Sequence, residues 1–282
     1  MKVLNRDELQ IAEGVLLKHL PKSYKVYGFL FGINRNKPTT LEVVVDTWPD
    51  FKVIICRPDP EKKRALNFMK KGDYSMDEQS LRKMLTDENA VDWSTYFMIG
   101  GLDVSHAPML KQVSSDRRVK YKTDILVHLL YLQDTNYLHM PAINSELELR
   151  ISSLNLSYVD LVNKTWKFGR DEKGYRKIEN QIINFPSCCI TDGRGQPVSW
   201  ILVCDYCAVG MLYTLPEHRA KGYAKILVSS LAKRNHALGY PVYSFIEEEN
   251  AVSYRLFANL GFTEDPSYRE AWFRLNEFQI FQ

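Results

Sequence analysis

The stretch Tyr213-Thr-Leu-Pro-Glu-His218-Arg219-Ala-Lys-Gly222-Tyr-Ala224 limits what this chain can fold into more than any other. It reads as the end of a β-strand, a short loop with a glycine, and the start of a helix. Arg219, Gly222 and Ala224 fit the spacing Arg/Gln-x-x-Gly-x-Gly/Ala. Such a loop turns successive backbone N–H groups toward one point, and the helix aims the positive end of its dipole at the same point. An anion is then held without a dedicated side chain. Gly222 lets the backbone approach closely and Ala224 keeps the helix start thin. The expected anion-site residues are Leu212, Tyr213, Thr214 and Leu215 at the strand exit, with Arg219, Ala220, Lys221, Gly222, Tyr223 and Ala224 beyond it. An ordinary surface loop would fit the same residues, so the context decides.

The chain has 282 residues, at the upper limit for one hydrophobic core, and two domains are expected. Its net charge of +3 does not demand nucleic acid. Lys62-Lys63-Arg64 and Arg117-Arg118-Val-Lys120-Tyr-Lys122 read as solvated faces. The five cysteines, Cys56, Cys188, Cys189, Cys204 and Cys207, are an odd number in a large chain, which argues for a reducing compartment over a disulfide scaffold. Cys204-x-x-Cys207 has no second pair and no histidine at ligand spacing, so no metal is expected there. No apolar run is long enough to span a membrane. The N-terminus shows no secretory signal and is not an acid-poor, arginine-rich presequence.

Leu9, Ala12, Leu16 and Leu20 have helical spacing, stopped by Pro21. Val26 to Ile33 and Leu41 to Asp46 read as the strands of a hairpin. Lys52 to Cys56 is expected as a strand, Asp77 to Leu85 as a helix, Tyr96 to Ile99 as a strand and Val104 to Val113 as a helix. Ile125 to Leu132 is strand or helix. Residues 1–135 therefore form an α+β domain with an antiparallel-leaning sheet. A linker containing Pro141 leads to a second domain, 146–282. Here Leu147, Leu149 and Ile151 alternate like a strand. Helices follow over Leu156 to Trp166 and Tyr175 to Phe185. Cys188 to Thr191 and Val198 to Cys204 flank an Asp192-Gly193 turn. Then come a strand over Val209 to Thr214, a helix over Tyr223 to Leu238, a strand over Val242 to Ile246, a helix over Asn250 to Leu260 and two strand-like pieces. No internal repeat of sequence is evident.

This order, with the anion loop between a strand and a long helix, resembles the Gcn5-related N-acetyltransferase superfamily. Asn250 and the closing Leu260-Gly261-Phe262 resemble its second signature. The resemblance narrows to the glycine N-acyltransferase family. It is carried by Leu20-Pro-Lys-Ser-Tyr-Lys-Val-Tyr-Gly28, Val45-Asp-Thr-Trp-Pro-Asp-Phe51, Val162-Asn-Lys-Thr-Trp-Lys-Phe-Gly169, Phe185-Pro-Ser-Cys-Cys189, Pro197-Val-Ser-Trp200, Thr214-Leu-Pro-Glu217 and Tyr240-Pro-Val-Tyr243. It implies an α+β protein with a C-terminal Gcn5-related fold and a smaller N-terminal α+β domain. The implied activity is transfer of an acyl group from acyl-CoA, a co-substrate and not a resident cofactor, to the amino group of glycine or, in one branch, glutamine. Mitochondria are the implied location, with cytoplasm as the alternative.

The resemblance also implies site roles. The loop would hold the CoA diphosphate, and strands Val209 to Thr214 and Val242 to Ile246 would splay so that the pantetheine arm pairs with the first. A backbone N–H near Met211 to Tyr213 would face the thioester oxygen. Asn250 would touch the coenzyme arm. The sequence departs from the family at two places. The family's general-base glutamate aligns with Ala208, leaving Asp205 as a substitute. The superfamily's general-acid tyrosine aligns with Phe257, leaving Tyr254 one turn earlier on the same face. Cys207-Ala-Val-Gly-Met211 resembles the glutamine-using branch apart from Ala208. The loss at Ala208 motivates an alternative, an acyl-CoA-binding protein without catalysis.

Overall fold

A computed structural model describes residues 1–62 and 70–277. Its contacts divide the chain into two compact units, Met1–Leu129 with the segment from Asp265 onward, and Leu130–Glu264. Sequence reading ends the first domain at 135 and gives everything after 146 to the second; the contacts instead return the last strand to the first unit.

The first unit runs β1 (Lys2–Val3), α1 (Arg6–Leu17), α2 (Tyr24–Asn34), β2 (Leu41–Val45), β3 (Val53–Pro58), β4 (Lys70–Ser75), α3 (Glu78–Thr86), β5 (Phe97–Asp103), α4 (Ala107–Asp116) and β6 (Tyr121–Tyr131). Asn5 and Glu8 close a capping box at the start of α1, satisfying donors that the first helical turn leaves open. The strands β1 to β4 form an antiparallel ladder in chain order, and β5 then joins β4 in parallel. Val44, Ile55, Leu81, Phe97, Ile99, Leu110 and Phe273 fill the core between the sheet and α3 and α4. Lys63 and Arg64 of the first basic cluster lie outside the described residues.

The expected hairpin is not present. Val26 to Ile33 is part of helix α2, and only Leu41–Val45 is a strand. Tyr24 to Gly32 are buried without a break. A run that is apolar on every side carries no period by which strand and helix differ, and burial on all sides suits a helix as well as a strand.

The second unit runs α5 (Ser145–Glu148), β7 (Ile151–Ser152), α6 (Val159–Thr165), α7 (Glu172–Asn184), β8 (Ser187–Thr191), β9 (Pro197–Val203), β10 (Val209–Thr214), α8 (Tyr223–Ala237), β11 (Tyr243–Glu247) and α9 (Ala251–Asn259). The chain then adds β12 (Glu270–Leu275), which pairs with β5 and β6 in the first unit. The alternation over Leu147 to Ile151 misleads. Asn144 accepts the Leu147 N–H at 2.7 Å and starts a helical turn, leaving only Ile151 and Ser152 as strand. A local side-chain cap outweighs a weak two-residue period.

Strands β7 to β10 form an antiparallel sheet in chain order. Trp200 and Leu202 of β9 pack with Val159 and Val162 of α6 and Ile178 of α7. The cysteines are free and buried; burial pushes the Cys188 thiol up to about 11.

The two units share one succession: a short strand, two helices, three strands, a helix, a strand and a helix. It reads β1-α1-α2-β2-β3-β4-α3-β5-α4 in the first and β7-α6-α7-β8-β9-β10-α8-β11-α9 in the second. No repeat of sequence announces it.

The end of α9 depends on Gly261. Its φ is +96°, and a Cβ there would stand 1.9 Å from the Tyr137 carbonyl oxygen. We expect Gly261→Ala to lower stability by roughly 3 kcal/mol, read from a urea midpoint shift at constant slope. A shift under about 0.5 kcal/mol would show that the backbone around Tyr137 yields freely.

Candidate functional site

The site grows from an irregularity in β10. Its register with β9 runs Val209↔Val203 and Gly210↔Leu202, then resumes at Tyr213↔Trp200 and Thr214↔Ser199. Met211 and Leu212 have no ladder partner there. Met211 has φ of +53°, a left-handed conformation costing a non-glycine residue about 1–2 kcal/mol. A strained residue inside a strand marks a place where the backbone is aimed at something other than its neighbour. Around the bulge the strand is well held. Trp200, buried, stacks on Tyr213 at 5.4 Å. Ser199 Oγ donates to the Tyr213 carbonyl at 3.0 Å.

Among the described residues, β10 has no ladder on its other side. The next strand, β11, is not part of the β7–β10 sheet, though it contacts β10. One edge of β10 therefore presents backbone groups to an extended ligand.

Beyond Thr214 the chain makes one 3-10 turn over Pro216–His218 and reaches α8. Ala220 has φ of +60° and Gly222 of +76°, and both are exposed, as is Lys221. Gly222 caps α8 without a side chain, so it leaves the donors of the first turn open. The first helical bond there runs from the Ile226 N–H to the Gly222 carbonyl, at 3.3 Å. Ile226, Leu227 and Leu231 are buried on α8, and the helix packs on β8, β9 and β10. That packing puts the helix N-terminus at the exit of the bulged strand.

Arg219 is expected among the anion-site residues. Its Nε donates to the Thr214 carbonyl at 3.1 Å and its guanidinium lies 5.7 Å from the Tyr213 ring centre, so it braces the loop. Glu217 lies on the exposed turn. Asn250 caps α9, accepting the Ser253 N–H at 3.1 Å.

The acid–base candidates lie apart from the loop in sequence and in strand direction. Ala208 is buried and directly precedes β10. Asp205 sits in the turn from β9 to β10, at the opposite end of β10 from the anion loop. Its Oδ1 is 3.9 Å from Lys177 Nζ of α7. Tyr254 lies on α9, and its hydroxyl donates to Glu264 Oε1 at 2.8 Å. Phe257 is core, edge-on to Phe262 at 4.9 Å. Sequence reasoning missed Glu264. It lies past the closing Gly261-Phe262, outside both signatures, and only the fold of the chain after α9 brings it to Tyr254. Among the described residues, no cluster of histidine, cysteine and carboxylate side chains could hold a metal ion, and no helix is long and apolar enough to cross a membrane.

A bulged strand with an open edge, a left-handed loop and a helix aimed along it define a Gcn5-related N-acetyltransferase fold. Solved structures agree. The chain is similar to a Drosophila protein of 16% identity with a TM-score of 0.78 over 97% of each chain. It is also similar to a tandem Gcn5-related protein of the clavulanic acid biosynthesis pathway, at 13% identity and a TM-score of 0.53, covering 97% of this chain and 96% of that one. The chain belongs to the aralkyl acyl-CoA:amino acid N-acyltransferase family, whose N-terminal model matches residues 1–186 and C-terminal model residues 188–275. Among curated proteins it is 32% identical to the glycine N-acyltransferase of Rattus norvegicus over 94% of this chain and 95% of that protein.

A Cβ at Gly222 would meet open space, so a substitution there acts through the backbone alone. If the loop holds the diphosphate of CoA, as the family resemblance implies, Gly222→Ala should weaken CoA binding roughly five- to tenfold by calorimetry, the equivalent of about 1 kcal/mol of left-handed strain. Gly14→Ala, in open space on α1, should leave the affinity unchanged. Equal affinities for wild type and Gly222→Ala would remove the loop from the site.

Proposed function

We propose that the protein transfers an acyl group from acyl-CoA to the amino group of glycine or glutamine. The register break at Met211–Leu212, followed by the left-handed loop at Ala220–Gly222, carries this reading, and membership in a family of acyl-CoA:amino acid N-acyltransferases supports it.

In this mechanism the N–H groups of residues 220–224 hold the CoA diphosphate, and Lys221 adds a cation at the rim. The pantetheine arm pairs with the open edge of β10 as an added strand. A main-chain N–H released at the bulge faces the thioester oxygen as the tetrahedral intermediate forms, a donor worth about 3 kcal/mol. The amine nitrogen bonds to the carbonyl carbon, the C–S bond breaks, and a proton leaves the nitrogen while the thiolate gains one. The hydroxyl of Tyr254 is the proposed proton source for the thiolate. Its hydrogen bond to Glu264 orients it but must loosen for that transfer.

Proton removal from the amine is the weak step. Alanine at position 208 cannot accept a proton, and a missing general base costs about 10²–10⁴-fold. Asp205, acting through water, is the proposed substitute, although its carboxylate also faces Lys177. Family membership speaks for transfer and against the binding-only alternative. A mitochondrial location belongs to the same proposal, by family resemblance, and cell fractionation would test it.

Thiol release with benzoyl-, phenylacetyl- and oleoyl-CoA against a panel of amino acids should show turnover with glycine or glutamine. Silence across the whole panel would end the proposal. Ala208→Glu should raise the rate at neutral pH by roughly tenfold or more, with KM for acyl-CoA little changed. An unchanged rate would mean that amine deprotonation is not limiting.

A further inference from the structure

The first unit has a cavity of its own, about 370 Å³, a size that accommodates a small organic ligand. It opens where β4 and β5 part. These strands pair in parallel at Lys70↔Met98, Lys71↔Ile99 and Gly72↔Gly100, and no register pair follows. Past that point Tyr74, Ser75 and Met76 line one wall and Gly101, Leu102 and Asp103 another. By the succession shared between the units, β4 and β5 correspond to β10 and β11. The cavity is therefore the first unit's version of the gap beside β10.

It is not built for CoA. Leu215 to Gly222 lie between β10 and α8, but only Met76 and Asp77 separate β4 from α3. The Asp77 carboxylate accepts the Ser80 N–H at 3.0 Å, and Asp77 is itself the N-cap of α3. The protein's own anion occupies the place where a diphosphate would lie.

The lining has a different chemistry. His19 and Tyr74 face each other with ring centres 5.9 Å apart, and the Lys22 ammonium lies 5.8 Å from the Tyr268 ring centre. His106 adds a second imidazole, whose Nδ1 lies 3.2 Å from Glu78 Oε2. The lining carboxylate, Asp103, already accepts the Ser105 N–H at 2.9 Å. Beneath them Tyr268 is fixed, with the Lys22 carbonyl at 3.1 Å and Glu270 Oε1 at 3.0 Å. One hydroxyl proton cannot serve both acceptors. Glu270 is fully buried, and burial pushes its carboxyl up to about 8 against the pull of the Lys25 ammonium; in its protonated form it can supply the second hydrogen. Its Oε2 has no hydrogen-bond partner and lies where a Cβ on the lining residue Gly101 would come within 2.8 Å.

We propose that this cavity binds a small aromatic carboxylate, its ring against Tyr74 and Tyr268 and its carboxylate toward Lys22 and the imidazole of His19. The ligand is a free aryl acid or an aryl-acylated amino acid, which share this chemistry. The site has no residue in common with the β10 loop, so it stands whether or not the transferase reading does.

The test is calorimetry on the full chain with saturating CoA, using benzoate and N-benzoylglycine as probes. At least one should bind with a Kd of about 1 mM or tighter, and the tighter of the two identifies the source. Lys22 and Ser105 are exposed, so Lys22→Ala and Ser105→Trp should leave the fold and CoA binding intact. Lys22→Ala should weaken the probe roughly tenfold, and Ser105→Trp should abolish binding by filling the mouth. If Ser105→Trp does not fold, Lys22→Ala decides alone. Absence of heat with both probes, or affinities equal in wild type and Lys22→Ala, would overturn the proposal.

Discussion

Backbone hydrogen-bond supply is the constraint from which the second unit's chemistry follows. A strand in a sheet spends its N–H groups on its neighbours, and a helix leaves those of its first turn unspent. This chain uses both facts along one line. Met211 and Leu212 drop out of the ladder with β9, and β11 does not take up the other edge of β10. Ala220 and Gly222 adopt left-handed conformations, and Gly222 caps α8 with no side chain. The result is a line of open donors from mid-strand to helix end, held rigid by Trp200 under Tyr213 and by the buried face of α8.

In the proposed mechanism main-chain donors fix where an acylated coenzyme lies, but they do not move protons. That work falls to side chains, and here the chain is unusual. In the proposed mechanism the position before β10, where a general base is expected, is a buried alanine, and the helix position where a general acid is expected is a buried phenylalanine. The polar groups that remain are offset. Asp205 lies one turn upstream beside Lys177, and Tyr254 lies one helical turn earlier and is tied to Glu264. Binding and chemistry are thus separable in this site, because the first rests on backbone and the second on replaceable side chains.

The two units show how one succession of elements can serve different ligands. After the fourth strand of the antiparallel ladder, the second unit inserts a long left-handed loop and the first makes a two-residue turn capped by Asp77. The short turn fills its own anion site with a carboxylate. The gap between strands persists in both, but in the first unit it is lined by tyrosines, imidazoles and a lysine instead of open strand edge.

Most of the second unit was legible in the sequence because its signals are local. The Asp192-Gly193 turn, the helix start at Asn250 and the strand–loop–helix around Gly222 each depend on a few adjacent residues, and each lies where expected. Helix α2 was not legible, since a run buried on all sides has no period. The brace formed by Arg219 was not legible either, because a carbonyl takes the guanidinium donors as well as a phosphate does.

The sequence by itself determined most elements of the second unit and the tight loop that ends in Gly222, because backbone conformation near glycine, proline and capping residues is set by adjacent residues. Tertiary structure alone decided that β12 joins the first unit, that Glu264 meets Tyr254, and that Glu270 lies buried beneath Tyr268. Those contacts join residues whose partners are chosen by packing, and burial, which moves the Glu270 carboxyl, exists only once the chain has closed around it.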